Sequence, residues 1–147
     1  MLAEVQAQVL ELMNNLRTQF GTAVIIITHN LGAVARYADS VNVMYAGRLM
    51  ETGPTDAIYA EPRHPYTVGL IASVPRLDLP RQKDLSVIDG LPPNLANLSR
   101  TICPFSPRCK LAIDLCRTQR PELGMVGPEH RAACFRSADV PRLMEAL

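Results

Sequence analysis

The sequence predicts an α/β chain, and three observations carry that reading. A helix-period stretch at the N-terminus leads into a run of β-branched residues. Two short strand-like segments follow, separated by a glycine turn. All 12 prolines and all four cysteines lie later, with no proline before Pro54 and no cysteine before Cys103. The prediction is therefore a partial α/β sheet at the front and a small, irregular, cysteine-bearing lobe at the back.

Each element has its own warrant. Val5, Val9, Leu12, Met13 and Leu16 recur at three- and four-residue steps with polar residues between, which is amphipathic helix spacing. Gly21 follows the last turn as a natural helix end. Ala23-Val24-Ile25-Ile26-Ile27 is continuous rather than alternating, so it predicts a strand covered on both faces, as in a parallel sheet. Leu31, Val34, Ala35 and Ala38 return to helical spacing. Residues 41–45 and 48–52 flank Gly47 and predict a hairpin. Pro54 and Thr55 open a short helix over 56–59, which Pro62 and Pro65 break. Residues 66–74 predict a further helix, stopped by Pro75. From 76 to 100 the chain reads as a proline-rich connector, with a possible short strand at Ser86-Val87-Ile88. The domain expectation is 1–60 as part of a sheet core, 61–100 as helix and connector, 101–136 as the cysteine lobe and 137–147 as a tail.

Composition narrows the function. The chain has 147 residues, 48% of them hydrophobic, with a net charge of +1, which is ordinary globular composition. The longest aliphatic run is five residues, against about 20 for a membrane span. No basic, apolar leader opens the sequence, so no signal peptide is expected. Residues 1–60 carry net −2 and residues 61–147 net +3. Aromatics are 5%, only two lysines are present and no basic stripe exists, so a nucleic-acid partner is not expected. The strand at 23–27 needs neighbours on both sides, and only one helix precedes it. More sheet upstream of Met1, or a partner chain, is expected to complete it.

Two sets of residues point to chemistry. His29 stands just past the end of the predicted buried strand, the edge at which α/β sheets bind ligands. There an imidazole can bond a phosphate oxygen or a water; a plain strand cap is the ordinary alternative. Cys103, Cys109, Cys116 and Cys134 are spaced C-x5-C-x6-C-x17-C. Disulfides fit poorly without a secretion signal. A four-thiolate zinc site lacks its usual C-x-x-C pairs, although His130 could replace one thiol. An iron–sulfur cluster tolerates wider spacing. Four buried free thiols are the plain alternative. Spacing leaves zinc and iron–sulfur open. Residues 97–136 carry a local net charge of +4, which suits an anionic thiolate group.

Longer segments resemble a known family. Gly21 through Leu31 is similar to the switch-histidine segment of ABC-type ATPases. Val41 through Gly53 resembles the strands that follow it, and Val5 through Leu10 the helix after the D-loop. Glu61-Pro62-Arg63-His64-Pro65-Tyr66-Thr67, Gly90-Leu91-Pro92-Pro93-Asn94-Leu95 and Cys103-Pro104-Phe105-Ser106-Pro107-Arg108-Cys109 resemble the oligopeptide/dipeptide (and nickel) importer subgroup. Together they cover the chain to about Phe135. The resemblance implies a P-loop-type sheet fragment, with His29 as the switch histidine at the γ-phosphate of ATP-Mg. It implies a 4Fe–4S cluster on Cys103, Cys109, Cys116 and Cys134, with zinc second. It implies a second ATPase subunit and transmembrane permease subunits as partners, a substrate-binding protein acting indirectly, and a peripheral place on the cytoplasmic face of the membrane. Asn30 departs from the usual Asp. No G-x-x-x-x-G-K-[ST] phosphate loop, signature or Walker B carboxylate occurs in the chain, so no ATP hydrolysis is expected from it alone. The alternative of another class is a free-standing metal-bearing interaction module without nucleotide binding.

Overall fold

The computed structural model describes residues 2–74 and 88–145. The suggested strand at 86–88 falls mainly outside them. The chain divides into two compact units, 1–39 and 40–147, so the expected boundary at 60/61 lies inside the second.

In the first unit α1 (Leu2–Phe20) follows the predicted apolar spacing and ends at Gly21. A short helix, α2 (Leu31–Tyr37), packs against it. Asn30 caps α2: its Oδ1 accepts the Ala33 N–H at 3.1 Å, and its own N–H donates to Thr28 Oγ1. Arg17 pairs with Asp39.

The predicted strand at 23–27 is not formed. Ile25 and Ile27 are 91% and 97% exposed. The reason is physical. A central strand is held by hydrogen bonds to strands on both sides, and the first unit offers none among its described residues. β-Branching makes the run compatible with a sheet without creating one.

The second unit is built on a four-stranded antiparallel sheet in the order β1-β2-β4-β3. Its first two strands are the expected hairpin at 41–52, and the other two come from the back half. Strand β1 (Ser40–Tyr45) alternates exposed and buried residues, with Val41, Val43 and Tyr45 inward. It pairs with β2 (Arg48–Pro54) from Ser40↔Pro54 to Tyr45↔Arg48. The hairpin turns on Ala46 and Gly47, both with positive φ (50° and 74°). A tight two-residue turn matching strand twist requires this, and glycine allows it without strain.

Helix α3 (Thr55–Ala60) follows β2 directly, and α4 (Pro65–Ala72) begins after two prolines. Pro65 occupies the first turn, where its missing N–H costs nothing. Two 3₁₀ turns, Leu95–Asn97 and Ser106–Arg108, precede α5 (Asp114–Thr118). Strand β3 (Gly124–Gly127) turns back into β4 (His130–Ala132), which pairs with β2 through Glu51↔Ala132 and Thr52↔Arg131. Helix α6 (Val140–Glu145) packs on α4.

The core joins the hairpin to the cysteine segment. Tyr45, Met50, Cys103, Phe105 and Cys116 form one buried cluster, with Tyr66, Ile88 and Cys109 against it. The Phe105 ring meets Tyr45 edge-on at 5.3 Å and lies 5.3 Å from Tyr66 and 5.7 Å from His64. Aromatic pairs in such tilted geometry add about 0.5–1.5 kcal/mol each beyond their area.

Candidate functional site

The four cysteines belong to the second unit, and local backbone geometry sets each one. Cys103 donates its N–H to Cys116 O at 3.0 Å, tying the loop to α5. Its carbonyl accepts the N–H of Ser106 at 3.1 Å and the hydroxyl of Ser106 at 2.8 Å. Cys109 closes the 3₁₀ turn by donating to Ser106 O. Cys116 lies within α5, and Cys134 follows β4 by two residues. Ala133 N–H donates to Met50 O at 2.8 Å, which fixes the approach of Cys134 to the core.

Burial dominates the electrostatics. It raises the Cys103 thiol and pushes Cys109 up to about 11 and Cys134 up to about 12. Backbone N–H groups oppose it: Phe105 and Ser106 at Cys103, Leu111 at Cys109, Arg136 at Cys134. The Arg136 N–H lies 3.4 Å from Cys134 Sγ. The thiols also raise one another, which places all four within mutual electrostatic reach. Among the described residues no three ligating side chains close on a site for one metal ion. The cysteines are free thiols, neutral at pH 7 by these shifts where a shift is resolved. Backbone N–H groups aimed at sulfur are also the donors that a thiolate would use.

His29 belongs to the first unit. It is exposed and immediately precedes the Asn30 cap of α2. Asn30 fills the capping role that an Asp would fill, because either side-chain oxygen accepts the helix N–H.

A second polar cluster escapes a reading of the sequence. Glu51, on β2, is 0% exposed. Its Oε1 accepts the Arg63 N–H at 2.6 Å and lies 2.7 Å from His130 Nε2, while Oε2 accepts the His64 N–H at 3.0 Å. A buried carboxylate is tolerated only with such partners. Glu51 thereby binds β2 to the turn before α4 and to β4. Gly53 makes room for His130: a Cβ there would sit 3.1 Å from His130 Cδ2. His130 faces Glu51, which corrects the idea that it might replace a cysteine ligand.

His64 caps α4. Its Nδ1 accepts the Tyr66 N–H at 3.0 Å, so the neutral ring keeps its proton on Nε2. Burial at 2% exposure lowers its pKa to about 4. His64 thus closes the N-terminal end of the helix that Pro65 opens.

Residues 50–116 match the family described as Oligopeptide/dipeptide transporter, C-terminal region. The chain is similar to the oligopeptide transport ATP-binding protein OppD of Mycobacterium tuberculosis, 51% identical over 133 residues, covering 90% of this chain and 22% of that protein. It is similar to OppD of Haemophilus influenzae, 46% identical over 135 residues, covering 92% of this chain and 41% of that protein. A putative peptide import ATP-binding protein of Brucella ovis is 43% identical over 141 residues, with the same coverages of 92% and 41%. The chain spans about two fifths or less of these relatives' length. Nothing in these comparisons favours the free-standing metal module. Among the described residues no helix is long and apolar enough to cross a membrane.

Proposed function

We propose that this chain acts within the ATP-binding subunit of a peptide-importing ABC transporter, as the C-terminal part of that subunit. The observation that carries the reading is likeness to peptide-import ATP-binding proteins over 90–92% of the chain. In the assembled subunit residues 23–27 take their place as a strand of a P-loop-type sheet. His29, at the end of that strand, contacts the γ-phosphate of ATP-Mg and orients water. Catalysis of this class is mostly positioning and charge stabilisation. The phosphate loop lies outside this sequence. The subunit pairs with a second ATPase subunit and with transmembrane permease subunits at the cytoplasmic face, and a substrate-binding protein delivers the peptide.

Cys103, Cys109, Cys116 and Cys134 hold a 4Fe–4S cluster in the lobe at 101–136. The N–H groups at sulfur support this, as does the local net charge of +4 over residues 97–136. When bound, such a group would supply metal–thiolate bonds that fasten this small lobe. Arg136 and the backbone N–H groups stabilise the thiolates.

A chimaera tests the transporter reading. This chain replaces the matching segment of the Haemophilus influenzae OppD. The chimaera is expected to support ATP-dependent peptide uptake, and its His29→Ala form to bind ATP while hydrolysing it at least tenfold more slowly, on the order of a lost catalytic contact. A folded, assembled chimaera without uptake overturns the reading. Iron and acid-labile sulfide analysis of anaerobically purified chain tests the cluster, and one zinc with no iron refutes it.

A further inference from the structure

The sheet has a gap at one end. Strand β4 ends at Ala132, whose partner on β2 is Glu51. The Ala133 N–H still reaches Met50 O at 2.8 Å, and then the chain leaves the sheet. Strand β2 extends past this point through Leu49 and Arg48, with no strand on that side. Across the gap, residues 120–123 lead into β3. The gap is a cleft of about 340 Å³ lined by residues 47–50 and 120–123, together with Pro104 and Ala133. That volume lies within the range of small-ligand sites.

Three features decide what fits it. The first is an open backbone edge. The hairpin turns over Ala46 and Gly47, so Tyr45 and Arg48 pair beside the turn and Leu49 stands opposite Met44. By antiparallel alternation the Leu49 N–H and C=O then face away from β1, on the side of the cleft. Among the described residues no backbone bond joins 47–49 to 120–123. Pro121 has no N–H, so the opposite wall lacks a donor that a ladder would need. The second feature is charge. Arg48 is half-buried at the cleft, with no hydrogen-bond or ion-pair partner among the described residues. Arg120 is already engaged: Nη1 donates to Arg100 O at 3.2 Å and Nη2 to Glu122 Oε1 at 3.1 Å. One uncompensated positive charge is left. The third is direction. A strand added antiparallel to β2 runs as β4 runs, so its C-terminal end comes to Arg48.

We propose that this cleft binds a short peptide in the place that β4 vacates, antiparallel to β2, with its free α-carboxylate on Arg48. The ligand's peptide unit pairs with the Leu49 N–H and C=O. Pro104, Pro121 and Leu123 receive an apolar side chain. Ladder bonds give affinity with little side-chain preference, and the charge-assisted contact sets the register. Ala133 closes the inner end, so a longer chain cannot continue along β2. The site needs neither the cysteines nor the rest of the subunit.

The test uses the full chain, isotopically labelled for NMR and titrated with the dipeptide alanyl-leucine. Amide shifts are expected at Leu49 and Leu123, saturating with a Kd of about 1 mM, the scale of a few hydrogen bonds and one charge-assisted contact. The C-terminal amide of the same dipeptide is expected to bind at least about tenfold more weakly, and Arg48→Gln to weaken alanyl-leucine by the same factor. Near-ultraviolet circular dichroism of the Tyr45–Tyr66–Phe105 cluster checks that the variant keeps the fold. The comparison of acid with amide needs no variant. Absence of shifts at both residues at about 10 mM dipeptide overturns the site. Equal affinity for acid and amide overturns the carboxylate contact with Arg48. Equal shifts with acetate alone mark a simple anion site and overturn the peptide.

Discussion

The two units place their apolar residues in opposite ways. The unit at 1–39 leaves the side chains of residues 24–27 in solvent, together with Leu12 and Phe20. The unit at 40–147 buries Met50, Ile58 and Val68 almost completely. Their compositions do not explain the contrast, since both contain strand-forming and helix-forming runs. The difference is whether the partners of each run are present. In the second unit β2 finds β1 on one side and β4 on the other. In the first, no described strand meets residues 23–27. A sequence can thus be fully suited to a sheet and still not form one.

That contrast can be broken most sharply at Glu51. Glu51→Ala leaves two backbone N–H groups and His130 facing a buried void. The second unit is expected to lose about 3–5 kcal/mol, the cost of removing one member of a buried polar set. Urea denaturation followed by tyrosine fluorescence measures it, and the helicity of α1 is expected to persist through the transition.

Acid gives the next largest effect. His64 has its pKa depressed to about 4 in the folded state, against an ordinary 6.5. The unfolded chain therefore binds the proton first. Stability from this residue is complete above pH 6.5 and is lost as pH falls through about 4, a loss of up to a few kcal/mol. His64→Asn keeps a cap acceptor for the Tyr66 N–H and removes the titration. Its denaturation midpoint is expected to fall less than wild type between pH 6.5 and 4.

Smaller effects belong to the first unit. Asn30→Ala removes the acceptor for the Ala33 N–H and is expected to cost about 1 kcal/mol of α2 stability, read from amide exchange at residues 33–35. Ile25→Thr is expected to change the stability of the isolated chain by less than about 0.5 kcal/mol, because the side chain is exposed. In the chimaera with a complete sheet the same change is expected to cost at least about 1 kcal/mol, since a large apolar side chain would be lost from a covered strand. Equal costs in the two settings would mean that residues 23–27 stay exposed in both.

Periodicity made much of this fold legible. The helical spacing of α1, the Gly47 hairpin and the proline-opened α4 all follow from side-chain pattern and turn chemistry. Strands β3 and β4 do not. They are four and three residues long and contain glycine and charge, too short to show a readable hydropathy pattern. They exist because β2 presents an edge to pair with. The cysteines were legible by type and spacing. Glu51 was not, because its meaning depends on donors from positions 63, 64 and 130, which no local pattern connects.

The pairing of β2 with β4 has a consequence for how the molecule is made. Glu51 and Ala132 face each other across some eighty residues of chain. The β1–β2 hairpin closes over a two-residue turn and can form while the rest is still on the ribosome. The β2–β4 ladder must wait for nearly the entire sequence, and its loop closure is slow for that reason. Cys134 stands two residues beyond β4, so the last thiol is delivered by the last strand. A one-residue slip in that ladder would turn Cys134 to the opposite face. Correct registration of a three-residue strand thus decides where Cys134 comes to lie in every newly synthesised copy.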